Sequence, residues 1–176
     1  GTIDGPQSLL ADLSAVSDHV RDGGRLVLLG HSLGGLIALE ALRSAPDLAV
    51  PRVVCLGSPL CGSLTARNLA GRAWTRPLLG RSAPLLQAGL QRWEGPAEVG
   101  VVAGDVAHGL GRLFARFDGG SDGTVGLEET RLPGVADHCI VHCSHTGLVF
   151  SEDAVAQAAH FLRHGRFEHA AEPPAV

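Results

Sequence analysis

A short apolar segment that leads directly into a glycine-flanked serine constrains the fold of this chain more than any other feature. The apolar run is Arg25-Leu26-Val27-Leu28-Leu29, and Gly30-His31-Ser32-Leu33-Gly34 follows it. Residues 36–44 then have a helical pattern that stops before Pro46. An unbroken apolar run of this length is typical of a strand buried on both faces of a parallel sheet. The sequence therefore predicts a strand, a sharp turn at Ser32 and a helix.

Strands and helices alternate along the rest of the chain. Short apolar runs predict further strands at 52–57, 99–103 and 139–143. Helical spacing of apolar residues predicts helices at 8–20, 62–71, 83–92 and 152–164. This alternation indicates an α/β fold with a mostly parallel sheet and helices on both faces.

The domain organisation follows from length and uniformity. A chain of 176 residues without an internal repeat or a change of composition fits one domain. We expect that domain to span 1–167, with a candidate cap or lid at 58–96 and a mobile tail at 168–176.

The composition argues against several classes of partner. Hydrophobic residues make up 45% of the chain and charged residues 18%, and the formal net charge is −4. No apolar run approaches the ~20 residues that a membrane-spanning helix needs. A mildly acidic chain without basic clusters argues against nucleic acid or an anionic membrane as the main partner.

The four cysteines are Cys55, Cys61, Cys139 and Cys143, which are too few for a disulfide scaffold at this length. If Cys139 and Cys143 lie on one strand with ~3.3 Å per residue, their Cα atoms are ~13 Å apart and cannot be bridged. Small buried thiols of a reduced compartment are expected, with a Cys55–Cys61 bridge as the alternative. Since no signal peptide is recognisable, a cytoplasmic location is expected.

The G-x-S-x-G pattern at 30–34 gives Ser32 the setting of an activated nucleophile. Between a strand and a helix such a serine occupies a strained turn, and the flanking glycines avoid Cβ collisions. Its hydroxyl stands beside a helix N-terminus, and the backbone N–H of Leu33 points to where an oxyanion would form. An ordinary glycine-lined turn is the alternative.

A serine nucleophile needs a base, and that base needs an orienting acid. In a strand–turn–helix setting of this kind the chain order is Ser, then Asp or Glu, then His. His145 directly follows the last predicted strand and is the candidate base. Asp122, in a polar loop between the third and fourth strands, is the preferred acid, and Asp105, nearer the end of the third strand, is its rival.

A cluster of metal-binding residue types lies at His138-Cys139-x-x-His142-Cys143-x-His145. Strand alternation puts His138 and His142 on one side and the other three on the opposite side. A tetrahedral zinc site needs four converging ligands, so no metal site is expected.

Three segments resemble small bacterial lipases and esterases of the α/β-hydrolase superfamily. They are Gly-His-Ser-Leu-Gly-Gly at 30–35, Ser-Asp-Gly-Thr-Val at 121–125 and Ser-His-Thr-Gly-Leu-Val-Phe-Ser at 144–151. The resemblance spans most of the chain, from about residue 8 to residue 165. It implies a catalytic triad of Ser32, Asp122 and His145, no cofactor, and a structural role for His31 under the turn.

The activity implied by the resemblance is hydrolysis of carboxylic esters through an acyl-enzyme on Ser32, which would place the protein in lipid metabolism. Leu33, Pro59 and Leu60 are expected to line the substrate site, and their apolar character favours an uncharged ester or lipid over a sugar or phosphate. An acyltransferase with the same triad is one alternative. A catalytically inactive fragment or scaffold is the other.

The start of the chain departs from the family pattern. The family has further strands before the nucleophile, and one of them is followed by a His-Gly-type loop that gives the second oxyanion N–H. Here about 24 residues precede the predicted strand. The chain is therefore expected to be the C-terminal portion of the fold, with an upstream segment or a partner chain completing the sheet. Loss of one oxyanion donor costs ~10²–10³ in kcat.

Overall fold

The computed structural model describes residues 6–7, 9, 26–64, 83–107 and 120–169. The strands are β1 (Val27–His31), β2 (Arg52–Leu56), β3 (Glu98–Gly104) and β4 (Asp137–Val141). The helices are α1 (Leu33–Ser44), α2 (Ala83–Ala88), α3 (Leu127–Thr130) and α4 (Glu152–His164), and a 3₁₀ turn spans Gly147–Val149.

The four strands form one parallel sheet in the order β1-β2-β3-β4. Alternate residues of β2 face opposite sides, as in any strand. Val53 packs in the cluster that contains α1, and Val54 packs in the cluster that contains α4. Helices therefore cover both faces, and the predicted fold class is confirmed.

The first strand is more exposed than its sequence predicts. Leu29 is 55% exposed and Val27 is 37% exposed, although both were expected to be buried. The reason is position: β1 pairs with β2 on one side, and no described strand pairs with its other side. An apolar run therefore predicted the strand correctly, but complete burial of that strand was wrong.

Several element boundaries differ from the sequence prediction. β1 extends through His31 instead of ending at Leu29, and β4 ends at Val141, so Cys143 lies beyond the strand. β3 and β4 end together at the pair Gly104–Val141, and the carbonyl oxygen of Cys143 lies 2.4 Å from the position that a Cβ on Gly104 would take. All four thiols are free, so the alternative Cys55–Cys61 bridge is not formed.

The helix predicted over 152–164 has the predicted bounds because both of its ends carry strong local signals. Ser151 is the N-cap, and its hydroxyl accepts a hydrogen bond from the backbone N–H of Ala154. Gly165 takes the left-handed conformation, φ 75°, that ends the helix. The Phe161 ring of this helix packs on β3 at Gly100, where a Cβ would lie 2.7 Å from the ring.

The candidate cap at 58–96 is described only in part. Leu60, Leu90 and Trp93 are buried in the core cluster on the α1 side of the sheet. The helix predicted over 83–92 ends at Ala88, since Gly89 follows in a left-handed conformation, φ 63°. Residues 65–82 lie outside the described part of the chain, and the cap stays a prediction.

Three other predictions fall largely outside the described residues. They are the helices at 8–20 and 62–71 and the tail at 168–176. The first two tail residues are ordered: Glu168 hydrogen bonds to Gln157, and His169 hydrogen bonds to Asp137. Among the described helices, none combines the length and the apolar character needed to span a bilayer.

Candidate active site

Ser32 lies in a strained turn at the carboxyl end of β1. Its φ of 55° and ψ of −126° make it the only non-glycine residue with positive φ in the described part of the chain. Such a conformation costs ~1–3 kcal/mol and persists because the surroundings enforce it. The backbone N–H of Ser32 bonds to the carbonyl of Leu56 at 2.8 Å, and Leu33 begins α1 immediately afterwards.

The two glycines that flank this turn have different roles. A Cβ on Gly30 would lie 2.5 Å from the backbone nitrogen of Gly35, so only glycine fits there. A Cβ on Gly34 would meet no atom within 4 Å. The expectation that both glycines avoid a collision is correct for Gly30 and wrong for Gly34.

The candidate base reaches the nucleophile. His145 Nε2 lies 3.0 Å from Ser32 Oγ, and His145 Nδ1 lies 2.7 Å from Asp122 Oδ2. These distances are within hydrogen-bond reach, which is the geometric requirement for a serine activated by an oriented histidine. Residues far apart in sequence thus form one continuous chain of side-chain contacts.

The carboxylate of Asp122 is buried and held from both sides. Its side chain is 2% exposed. Oδ1 accepts the backbone N–H groups of Thr124 and Val125, at 2.9 and 2.8 Å, and so leaves Oδ2 directed at His145. The backbone N–H of His145 also donates to the carbonyl of Asp122 at 2.9 Å. The loops that carry the acid and the base are therefore fixed to each other by main-chain and side-chain contacts.

The rival acid lies elsewhere. Asp105 Oδ1 is 2.9 Å from Nδ1 of His142, whose side chain is 87% exposed. The pair sits at the surface beyond the ends of β3 and β4. The structure thus places Asp122, and not Asp105, against His145.

The chain as a whole matches a known protein family. Residues 1–173 match the profile of the alpha/beta hydrolase family. The chain belongs to that family. No curated protein sequence matches it.

Solved structures share the fold of this α/β-hydrolase chain. The mature form of the Bacillus licheniformis lipase BlEst2 matches with a TM-score of 0.65 at 23% identity, over 90% of this chain and 71% of that one. Its propeptide form matches with a TM-score of 0.69 at 22% identity, over 97% and 42% of the two chains. A metagenomic carboxyl esterase matches with a TM-score of 0.62 at 20% identity, over 82% and 52%. The α/β-hydrolase chain thus spans only part of the length of each of these proteins.

Gly57 is a site residue that the sequence did not reveal. It follows β2 with φ 53°, and a Cβ there would lie 2.7 Å from Leu148 Cδ1, 3.0 Å from Asp122 Oδ2 and 3.2 Å from His145 Nδ1. The acid and the base can meet because this position carries no side chain. A glycine directly after a buried strand is the only signal in the sequence, and it is shared by many turns.

Gly57→Ala is expected to lower ester turnover by about 10²-fold, because a displacement of ~1 Å between acid and base costs that much. Steady-state kcat with a p-nitrophenyl ester measures the effect, and near-UV circular dichroism checks the fold. Gly34→Ala is the matched control, since its Cβ meets open space, and it should stay within about twofold. Equal losses in the two variants would contradict the role given to Gly57.

His31 lies beside the nucleophile and contacts the base. Its Nε2 is 3.0 Å from the backbone carbonyl oxygen of His145, and the two ring centroids are 4.7 Å apart. Burial lowers the pKa of His31 below its usual 6.5. His31 therefore contacts the loop that carries His145, in line with the structural role that the resemblance implies for it.

The expected substrate-site residues lie at the turn and after β2. Leu33 is the first residue of α1, so its N–H has no partner within the helix. Pro59 is buried and Leu60 is fully buried in the core. Their assignment to substrate binding stays a prediction.

The histidines of the candidate metal cluster make separate contacts. His138 Nε2 lies 2.8 Å from Thr130 Oγ1, His142 pairs with Asp105, and His145 faces Ser32. Within the described ranges, no group of three or more His, Cys, Asp or Glu side chains is arranged to hold a metal ion.

Proposed function

We propose that this α/β-hydrolase chain is a serine hydrolase that cleaves carboxylic esters through an acyl-enzyme on Ser32. One observation carries the proposal: the continuous contact from Asp122 through His145 to Ser32, at a strained turn before a helix. An ordinary glycine-lined turn has no reason to meet a histidine whose other nitrogen faces a buried carboxylate.

Each side chain has a defined part in the reaction. Ser32 Oγ attacks the acyl carbonyl while His145 Nε2 takes its proton, and the negative oxygen forms beside the N–H of Leu33. His145 then gives the proton to the departing alkoxide, which leaves as an alcohol. Asp122 holds the proton on Nδ1 and stabilises the imidazolium. In the second half, His145 deprotonates water, whose oxygen attacks the acyl carbon. The bond from that carbon to Ser32 Oγ then breaks, and His145 returns the proton to Oγ. These steps use only residues of the chain and water.

The substrate class follows from the surroundings and from the relatives. The elements around the turn contribute apolar residues, among them Leu33, Leu56 and Leu148. The structures that share the fold include a lipase and a carboxyl esterase. An uncharged ester or lipid fits these observations. A series of p-nitrophenyl esters of increasing acyl length would show which acyl chain length is preferred.

A fluorophosphonate probe tests the nucleophile. We expect Ser32 Oγ to bond to phosphorus with loss of fluoride, and peptide mass spectrometry to locate the adduct. Ser32→Ala should not be labelled. Ser44→Ala, which removes an exposed hydroxyl at the other end of α1, should be labelled like the wild type. A folded wild-type chain that is not labelled by the probe would contradict the proposal.

Added alcohols separate hydrolysis from acyl transfer, since both use the same acyl-enzyme. With a p-nitrophenyl ester and a competing short alcohol, the free acid is expected as the main product. An excess of the new ester would instead assign an acyltransferase.

The open side of β1 supports a proposal about the rest of the sheet. Because amides alternate along a strand and Ser32 N–H faces β2, those of Leu29 and His31 point away from β2. At that edge Leu29 and Val155, which line one apolar pocket, expose more than half of their surface. We infer that a further strand, from upstream polypeptide or from a partner chain, pairs with β1 and brings the second oxyanion donor.

Amide hydrogen exchange tests this inference. In the chain alone, the Leu29 and His31 amides should exchange fast and the Gly30 amide, which faces β2, slowly. In a longer polypeptide or complex all three should be slow. Fast exchange of Leu29 in the larger assembly would contradict strand addition.

A cytoplasmic location also remains a proposal. It rests on the four free thiols, which fit a reducing compartment. Burial raises the pKa of Cys55 to about 12 and, together with Asp137, that of Cys139 to about 12, so neither thiol is prepared for disulfide chemistry. Fractionation of cells that express the protein would test the location.

A further inference from the structure

His31 connects the strand that carries the nucleophile to the loop that carries the base. It is the last residue of β1, directly before Ser32. Its Nε2 lies 3.0 Å from the backbone carbonyl oxygen of His145, and its ring is tilted by 42° against the ring of that residue. The contact joins the end of β1 to the loop that follows β4.

The direction of this hydrogen bond shows which nitrogen of the His31 ring carries a proton. A carbonyl oxygen only accepts, so Nε2 of His31 carries the proton. The ring of His145 has the opposite arrangement, because its Nδ1 faces a carboxylate and its Nε2 must accept the proton of Ser32. The two neighbouring rings therefore have different tautomers and different tasks.

The surroundings of His31 favour its neutral form. It lines two apolar pockets, one on each side of β1, and α4 contributes only apolar residues to the first of them. Among the described residues, the titratable groups that act on it are His145 and Asp122. Burial is the main cause that holds its pKa below the usual value; the neighbouring His145 lowers it further, while the bond to the carbonyl and the carboxylate of Asp122 oppose this.

A charge on His31 would act directly on the reaction. When His145 takes the proton of Ser32, it becomes a cation with its ring centre 4.7 Å from that of His31. Two imidazolium rings at this distance repel each other in a partly buried site, and the transition state would lose stabilisation. A neutral donor can hold the loop without this cost.

We propose that His31 is a positioning residue that, as a neutral Nε2–H donor, fixes the main chain of His145 against the nucleophile and leaves His145 as the sole imidazole that becomes charged. This proposal rests on the serine hydrolase function proposed above. It assigns to the residue between Gly30 and Ser32 a task beyond filling space under the turn.

Three variants of the full chain test it by kcat, KM and pH profile. His31→Leu keeps the volume and removes the donor, and we expect kcat to fall about 10- to 100-fold while KM changes less than about threefold. His31→Gln restores an uncharged donor and should recover kcat to within about fivefold. His142→Gln, at the exposed pair with Asp105, is the matched control and should match the wild type.

The pH profile separates positioning from packing. In the wild type, log(kcat/KM) should fall on the acid side with a slope that approaches two, since both His145 and His31 must be neutral. In His31→Gln the slope should be one. Wild-type kcat in His31→Leu, or a loss in His31→Gln as large as in His31→Leu, would overturn the positioning role. An unchanged slope in His31→Gln would overturn the requirement for a neutral ring.

Imidazole nitrogen NMR of the folded wild type distinguishes failure of this proposal from failure of the hydrolase proposal. If the folded protein neither turns over esters nor reacts with fluorophosphonate, the hydrolase function fails, and the tautomer of His31 still reports on its contact. A proton on Nε2 is expected. A proton on Nδ1 with Nε2 free would contradict the contact, whatever the activity. This measurement uses the wild type, so it does not depend on the folding of a variant.

Discussion

His145→Ala is expected to lower kcat for ester hydrolysis by about 10⁴- to 10⁶-fold, the range seen when a triad member is removed from a serine protease. Without the imidazole, Ser32 Oγ has no acceptor for its proton at 3.0 Å, and the departing alkoxide has no proton donor. Steady-state release of p-nitrophenol at saturating ester measures the loss. Ser32→Ala should show a loss of similar size, and the double variant should be no worse than either, since the two side chains act as a unit.

His142→Ala is the matched control for this comparison. His142 directly follows β4, in the same loop as His145, but its side chain is 87% exposed and pairs with Asp105. An exposed pair of this kind contributes little, so kcat should stay within about twofold. If His142→Ala were as damaging as His145→Ala, or if His145→Ala kept more than a tenth of wild-type kcat, the identity of the base would be wrong.

Local signals explain which parts of the fold could be predicted from the sequence. Helix α4 has an N-cap at Ser151, an apolar stripe and a terminating Gly165, all of which are set by neighbours in sequence. The strand–turn–helix at Ser32 is equally local. The exposure of β1 is not determined locally, because the burial of a strand depends on which strand lies beside it. An apolar run predicts a strand but not its partners.

The site residues likewise divide into those that local sequence signals identify and those that they do not. Ser32, Asp122 and His145 could be selected because a nucleophile, an acid and a base occur in the right order after the right strands. Gly57 could not, since its importance comes from a Cβ that would meet three side chains brought in from distant loops. The sequence favoured Asp122 over Asp105 without deciding between them, because the decision depends on how the two loops after β3 and β4 fold back over Gly104.

Asp122→Asn is expected to lower kcat by about 10⁴-fold without unfolding the chain. The amide oxygen can keep the bonds that Oδ1 accepts from Thr124 and Val125, and this places the NH₂ group where Oδ2 now faces His145 Nδ1 at 2.7 Å. An NH₂ group donates, so Nδ1 must become an acceptor and the proton moves to Nε2. That nitrogen then faces Ser32 as a donor and cannot take its proton.

Asp105→Asn makes the same chemical change at the rival acid and completes the test. Its carboxylate contacts the exposed His142, so an amide there leaves the tautomer of His145 untouched, and kcat should stay within about twofold. Thermal unfolding of both variants shows whether either loss reflects the fold. Should Asp105→Asn abolish turnover while Asp122→Asn keeps it, the acid would be Asp105, and the contact at 2.7 Å between Asp122 and His145 would be structural only.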